Sequence, residues 1–109
     1  MTDKIIMFSG ENWVKESEVT LGTAVTRVKR YHEKDGVHAG VWECFSGIFT
    51  IEAHAVNEMC HILEGEGTIT HFDGTVCPIK AGDSFFIPRK TKMVWQVETY
   101  LRKVYMASS

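Results

Sequence analysis

The sequence predicts an all-β domain, a sandwich or barrel of antiparallel strands. Two observations carry that reading. Turn-forming residues recur at short intervals: Ser9-Gly10, Asp35-Gly36, Ser46-Gly47, Gly65 with Gly67, Asp73-Gly74 and Gly82-Asp83. Between them lie short runs rich in Val, Ile, Thr, Phe, Tyr and Trp, which pack well on a pleated surface. Helix has little room, and Asn12–Val19 could make one turn at most.

Taken in order, strands are expected at Val25–His32, Val37–Cys44, Ile48–His54, Glu58–Glu64, Gly67–Phe72, Thr75–Ile79, Asp83–Ile87, Met93–Glu98 and Tyr100–Met106. Asp35-Gly36 and Asp73-Gly74 fit two-residue hairpin turns, which need positive φ. Alternation sorts the faces. Ile48, Thr50, Glu52 and His54 share one face, with Phe49 and Ile51 on the other. Glu58, Cys60 and Ile62 share a face opposite Met59, His61 and Leu63. Both faces of that strand are largely apolar, so both should be covered. In a chain of 109 residues this points to a second subunit, a homodimer. Met93, Trp95 and Val97 line one face near the C-terminus.

Length allows one domain and one core. Twelve basic against fourteen acidic residues leave a formal charge of −2. That balance offers no electrostatic footprint for nucleic acid or an anionic membrane, and neither is an expected partner. No apolar run has the length of a signal-peptide core or a membrane span. Cys44, Cys60 and Cys77 are odd in number and widely spaced, which fits neither a disulfide framework nor a CxxC site. Reduced thiols and a cytoplasmic location are the expectation.

Chemistry concentrates in Glu52-Ala53-His54-Ala55-Val56-Asn57-Glu58. Two ligand-type side chains stand two apart, and a third follows four residues later. Carboxylates and an imidazole converging from neighbouring strands can hold a divalent metal. The same residues also fit polar strand ends meeting water. His61 should be packed opposite Glu58, and His32 and His38, flanking the first hairpin, should be exposed. Cys60 shares the face of Glu58 as a small buried hydrophobe. Arg89, Lys90 and Lys92 make either a solvated loop or a clamp for a ligand carboxylate.

These strings resemble the cupin superfamily. Its first motif has a glycine, His-x-His, a Glu and a later glycine. Glu52 stands at the first His, His54 matches the second, and Glu58 and Gly65 follow at the motif's spacing. The second motif's first half is matched by Gly82-Asp83-Ser84-Phe85-Phe86-Ile87-Pro88. Lys90, Met93 and Val97 stand where its Gly, His and Asn would be. Within the superfamily, four strings are similar to the branch of (S)-ureidoglycine aminohydrolase and the ethanolamine-utilisation cupin. They are Val41-Trp42-Glu43-Cys44, Cys60-His61-Ile62-Leu63-Glu64-Gly65-Glu66, Ala81 through Pro88, and Arg102-Lys103-Val104-Tyr105.

The resemblance implies a double-stranded β-helix, a jelly-roll barrel over about 37–106 preceded by an N-terminal extension over about 1–36. It implies a divalent metal (Mn, Fe, Ni or Zn) on Glu52, His54 and Glu58. The fourth ligand position falls on Met93, or on Lys92, and a thioether is a poor ligand for a hard cation. Cys60, Lys92, Met93 and Trp95 would line the pocket. Two functions follow from it. One is a metal-dependent, hydrolase-like enzyme acting on a small nitrogen-containing acid. The other is a metal-free module that binds a small polar molecule without chemistry.

Overall fold

The computed structural model describes residues 4–109. Seven strands follow one another: β1 (Lys15–Leu21), β2 (Ala24–Lys34), β3 (Val37–Ile51), β4 (Asn57–His71), β5 (Val76–Lys80), β6 (Ser84–Ile87) and β7 (Met93–Ser108). All pairings are antiparallel, in the order β1-β2-β3-β7-β4-β5, with β6 also on β4. The result is the all-β, antiparallel architecture that the sequence predicts, arranged as the jelly roll that the resemblance implies. No helix among the described residues is long and apolar enough to cross a membrane.

β7 is the spine. Along one edge it pairs β3 from Val37↔Ser108 to Ile51↔Met93. Along the other it pairs β4 from Asn57↔Ser108 to His71↔Met93. The far edge of β4 is shared, with Glu58–His61 taking β6 and Glu66–Thr70 taking β5.

Three pairs of expected strands are in fact single long ones. Val37–Cys44 and Ile48–His54 join in β3, which stops at Ile51. Glu58–Glu64 and Gly67–Phe72 join in β4, and Met93–Glu98 and Tyr100–Met106 join in β7. Ser46-Gly47 and Gly65 with Gly67 are bends inside strands, marked by register shifts between Phe45 and Gly47 and between Gly65 and Thr68. A bulge adds a residue to one strand and bends it without ending the ladder. At Gly65 φ is +87°, and a Cβ there would lie 2.0 Å from the Tyr100 carbonyl oxygen. Only glycine lets β4 and β7 approach so closely at this bend.

The Asp35-Gly36 hairpin is as expected, with φ of 54° and 76°. The Asp73-Gly74 turn is longer than two residues. Only Gly74 has positive φ, and the Asp73 carboxylate instead accepts the Thr75 N–H at 2.9 Å. The N-terminal extension contributes to the sheet. β1 forms over part of Asn12–Val19, where one helical turn had room, because the open edge of β2 satisfies its backbone.

Inside the roll, Trp95 stacks on Phe49 with ring centroids 5.8 Å apart and meets Trp42 edge-on at 5.6 Å. Each such fully buried large side chain contributes about 1.5–3 kcal/mol relative to exposure. The expected face of Met93, Trp95 and Val97 is buried throughout.

The bend at Gly65 gives a direct test. Gly74→Ala, at φ +88° in open space, should cost about 1–2 kcal/mol in urea unfolding, the left-handed penalty alone. Gly65→Ala carries the same penalty plus the overlap with Tyr100, and should cost clearly more. Equal losses would mean the close approach is not there.

Candidate functional site

The ladders place a grid of side chains on the inner surface. β3 presents His38, Gly40 and Trp42. β7 presents Ala107, Tyr105 and Lys103 beside them, and β4 presents Glu58, Cys60 and Ile62 beyond. On the other side of β3, Arg30 pairs with Gly40 and Val28 with Trp42. All of these but Gly40, Ala107, Cys60 and Ile62 line a mostly apolar cavity of about 300 Å3, with Phe49, Ile51, Trp95 and the His54–Val56 loop on its upper side.

Gly40 is required here. A Cβ would lie 2.1 Å from the Lys29 carbonyl oxygen, where β2 bulges between Arg30 and His32. His54 belongs to the loop after β3 and is pinned by its backbone. Its N–H donates to the Thr91 carbonyl at 2.9 Å, and its carbonyl accepts the Lys90 N–H at 2.7 Å.

At the polar centre, Lys103 Nζ lies 2.6 Å from Glu58 Oε2, and both side chains are less than a tenth exposed. The ammonium also sits over the rings of Trp42 and Trp95, 4.6 and 4.8 Å from their centroids. His54 Nε2 lies 2.8 Å from Glu58 Oε1, and the Cys60 thiol donates to Glu58 Oε2 at 3.1 Å. Burial alone would raise the pKa of Glu58. The Lys103 charge and the hydrogen bonds from His54, Lys103 and Cys60 outweigh it and hold the carboxyl at about 2. Burial opposes the charge on Lys103, but Glu58 dominates and keeps it above its ordinary value. Burial pushes the Cys60 thiol up to about 12, so it stays protonated.

The expected metal ligands divide. His54 and Glu58 are in contact, but Glu52 is exposed and faces Lys92 at 3.4 Å. β3 ends at Ile51, so the alternation that put Glu52 and His54 on one face stops short of both. Among the described residues, no three His, Cys, Asp or Glu side chains group to hold a metal ion. A divalent cation beside Glu58 would also meet the Lys103 ammonium. The residues present do not fit the metal that the resemblance implies.

Of the expected pocket residues, Trp95 lines the cavity. Cys60 is buried behind Glu58. Lys92 is exposed on Glu52, and Met93 lies in a separate apolar crevice with Ile69 and Phe85. His38, expected to be exposed, is half-buried on the cavity wall. The reason is that its alternation with Gly40 and Trp42 points inward. His61 lies opposite Glu58 as alternation places it, but it is half-buried at the surface rather than packed, and it shares a hydrogen bond with Ser84 Oγ at 2.7 Å.

Arg30, Tyr105 and above all Lys103 were not singled out by sequence reasoning. Lys103 does carry a signal, because it alternates with Leu101, Tyr105 and Ala107, all buried. A lysine in such a row needs a buried partner. A second cleft, of about 330 Å3 beside β5, is lined by the exposed Glu66, Lys80, Gln96 and Glu98. It contains no comparable buried pair.

Residues 32–105 match the family described as the EutQ-like cupin domain. Among solved structures, the chain is similar to the EutQ protein of Clostridium difficile, at 21% identity and TM-score 0.70, over 79% of this chain and 69% of that one. A DUF861-family protein of Thermotoga maritima is 34% identical with TM-score 0.56, over 60% of this chain and 73% of that one. A DUF861-family protein of Pseudomonas syringae is 17% identical with TM-score 0.76, over 90% of this chain. This chain spans 46% of that longer protein. A search of curated proteins returned no match.

The central pair can be tested by substitution. Glu58→Gln strands a buried ammonium and should cost about 3–5 kcal/mol in urea unfolding. Adding Lys103→Met should regain most of that loss, and a double variant no more stable than Glu58→Gln would refute the pairing. Because the carboxyl of Glu58 is depressed, its contribution is complete above pH 4.5 and is lost as pH falls toward about 2. The double variant should lack that component of acid sensitivity.

Proposed function

The chain belongs to the EutQ-like cupin domain family, and we propose that its cavity binds a small molecule without a resident metal. The observation that carries the reading is the Lys103 ammonium on Glu58 at the polar centre of an otherwise apolar cavity. A permanent protein cation stands where a metal would need both Glu58 oxygens. At about 300 Å3 the cavity lies at the small end of the range for ligand pockets. A metal-centred hydrolysis, as in the aminohydrolase branch, is not part of the proposal, since Glu52 points away from the cavity.

Two measurements test this. Elemental analysis of tag-free protein should find no stoichiometric Mn, Fe, Ni or Zn, and adding these ions should not raise the melting temperature. A fragment screen by NMR should find binders that shift the indole resonances of Trp42 and Trp95. A stoichiometric metal on Glu58, or no fragment in the cavity, would reject the reading.

A second copy of the chain is the proposed partner. On the outer surface Phe86, Met59 and Met106 lie side by side across β6, β4 and β7, each more than half exposed. Nearby, Arg27, Glu43, Arg102 and Glu64 form a row of alternating sign across four strands. Turned about a two-fold axis along the strands, that row meets opposite charges on its copy. Sedimentation should give twice the 12.4 kDa chain mass, and Met59→Asp should shift it to the monomer. A monomer for the unmodified chain at micromolar concentration would exclude the dimer.

A further inference from the structure

Four buried side-chain polar atoms on the cavity wall have no hydrogen-bond partner: Arg30 Nε, His38 Nδ1, Trp95 Nε1 and Tyr105 Oη. Among the described residues only one other such atom exists, Arg102 Nε. Buried polar atoms are normally paired, so a cluster of unpaired ones around one cavity points to a missing partner. Trp95 is 2% exposed and Tyr105 is 6% exposed.

The ladder groups three of them. Arg30 and Tyr105 flank Gly40 in register, with no side chain between them. The guanidinium lies against the Tyr105 hydroxyl, near enough for a weak hydrogen bond to its oxygen that leaves the hydroxyl proton unused, and the ring of His38 meets that of Tyr105 at 5.6 Å. Trp95, which carries the fourth, lines the upper wall of the same cavity.

The chemistry of these atoms is one-sided. Arg30 Nε–H and Trp95 Nε1–H can only donate, and the Tyr105 hydroxyl is free to donate. Burial keeps the phenol protonated. Burial, then the Arg30 charge, lowers the pKa of His38 and favours the neutral ring, whose single N–H serves as a donor here when carried on Nδ1. The one carboxylate in the cavity, Glu58, already accepts from His54, Cys60 and Lys103. A ligand rich in hydroxyls, such as a sugar, would find donors but few acceptors.

Charge narrows the class further. Lys103 is neutralised by Glu58, and Arg30 is partly balanced by Glu33 at 3.2 Å. At most one positive charge remains, which suits a monoanion and disfavours a phosphate dianion. The other walls are Trp42, Phe49 and Trp95, flat and apolar.

Resting on the binding reading above, we infer that the ligand is a small monocarboxylate with a compact, flat apolar body. Arg30, Tyr105 and His38 receive the carboxylate, and the aromatic walls hold the body. Neither Arg30 nor His38 nor Tyr105 belongs to the loop cations after Pro88 that the sequence suggested for this task.

The test uses three probes on the full chain by calorimetry and NMR: benzoate, its neutral isostere benzamide, and acetate. Benzamide replaces one acceptor with an NH2 donor, and acetate lacks the body. Benzoate should bind at least about tenfold more tightly than either. Tyr105→Phe, which keeps the ring and the packing, should weaken benzoate about tenfold and leave benzamide within about twofold. Benzamide binding as well as benzoate, or benzoate indifferent to Tyr105→Phe, overturns the carboxylate assignment while small-molecule binding stands. If none of the three enters the cavity, the inference also falls. The fragment screen then decides separately whether the cavity binds anything.

Discussion

An ammonium in the middle of an apolar barrel cannot be left alone. Lys103 lies on the inner face of the central strand, under two tryptophan rings, and a buried charge without a partner is strongly destabilising. Glu58 answers it from the adjoining strand, and His54 and Cys60 fix the carboxylate in turn. The arrangement of the cavity follows from this pair. It holds Glu58 ionised and ties the 52–56 loop to the cavity through His54, while burial keeps the Cys60 thiol protonated. It also uses up the acceptors at the centre, so the remaining polarity of the wall is that of donors.

The frame around the pair depends on bends as much as on strands. β3, β4 and β7 each run the length of the molecule and fold over at bulges. This places Trp95 and Phe49 above the grid that Trp42, Lys103 and Tyr105 occupy below. Arg30, His38, Trp95 and Tyr105 each sit on a strand paired on both sides, which fixes the backbone beneath their side chains. That support suits the binding role proposed for the four unpaired polar atoms they carry.

Much of this was legible in the sequence. Alternation placed Glu58, Cys60 and Ile62 on one face, set His61 opposite, and put Met93, Trp95 and Val97 in the core. The cupin resemblance supplied the jelly roll, and the family match bears that out. What alternation could not supply was where it stops. Glu52 looks like a ligand only if the strand continues to His54, and β3 ends at Ile51. Ser46-Gly47 and Gly65 with Gly67, read as turns, are bulges, because local sequence cannot tell a chain that reverses from one that bends within a ladder. The metal reading came from the Glu52, His54 and Glu58 spacing together with the cupin resemblance. The feature that redirects it, a lysine in register with apolar neighbours on β7, is plain in Leu101, Lys103, Tyr105 and Ala107. Its partner lies 45 residues away, a pairing that only the ladder between β4 and β7 discloses.

The whole arrangement depends on Lys103 being a buried, charged ammonium bonded to Glu58. A nitrogen-15 spectrum of the lysine side chains at neutral pH reads this out. One ammonium signal sheltered from solvent exchange should be present in the unmodified chain and absent from Lys103→Met. If every lysine ammonium exchanged as fast as a solvated one, the buried pair would not exist, and the metal-free reading of the cavity would lose its foundation.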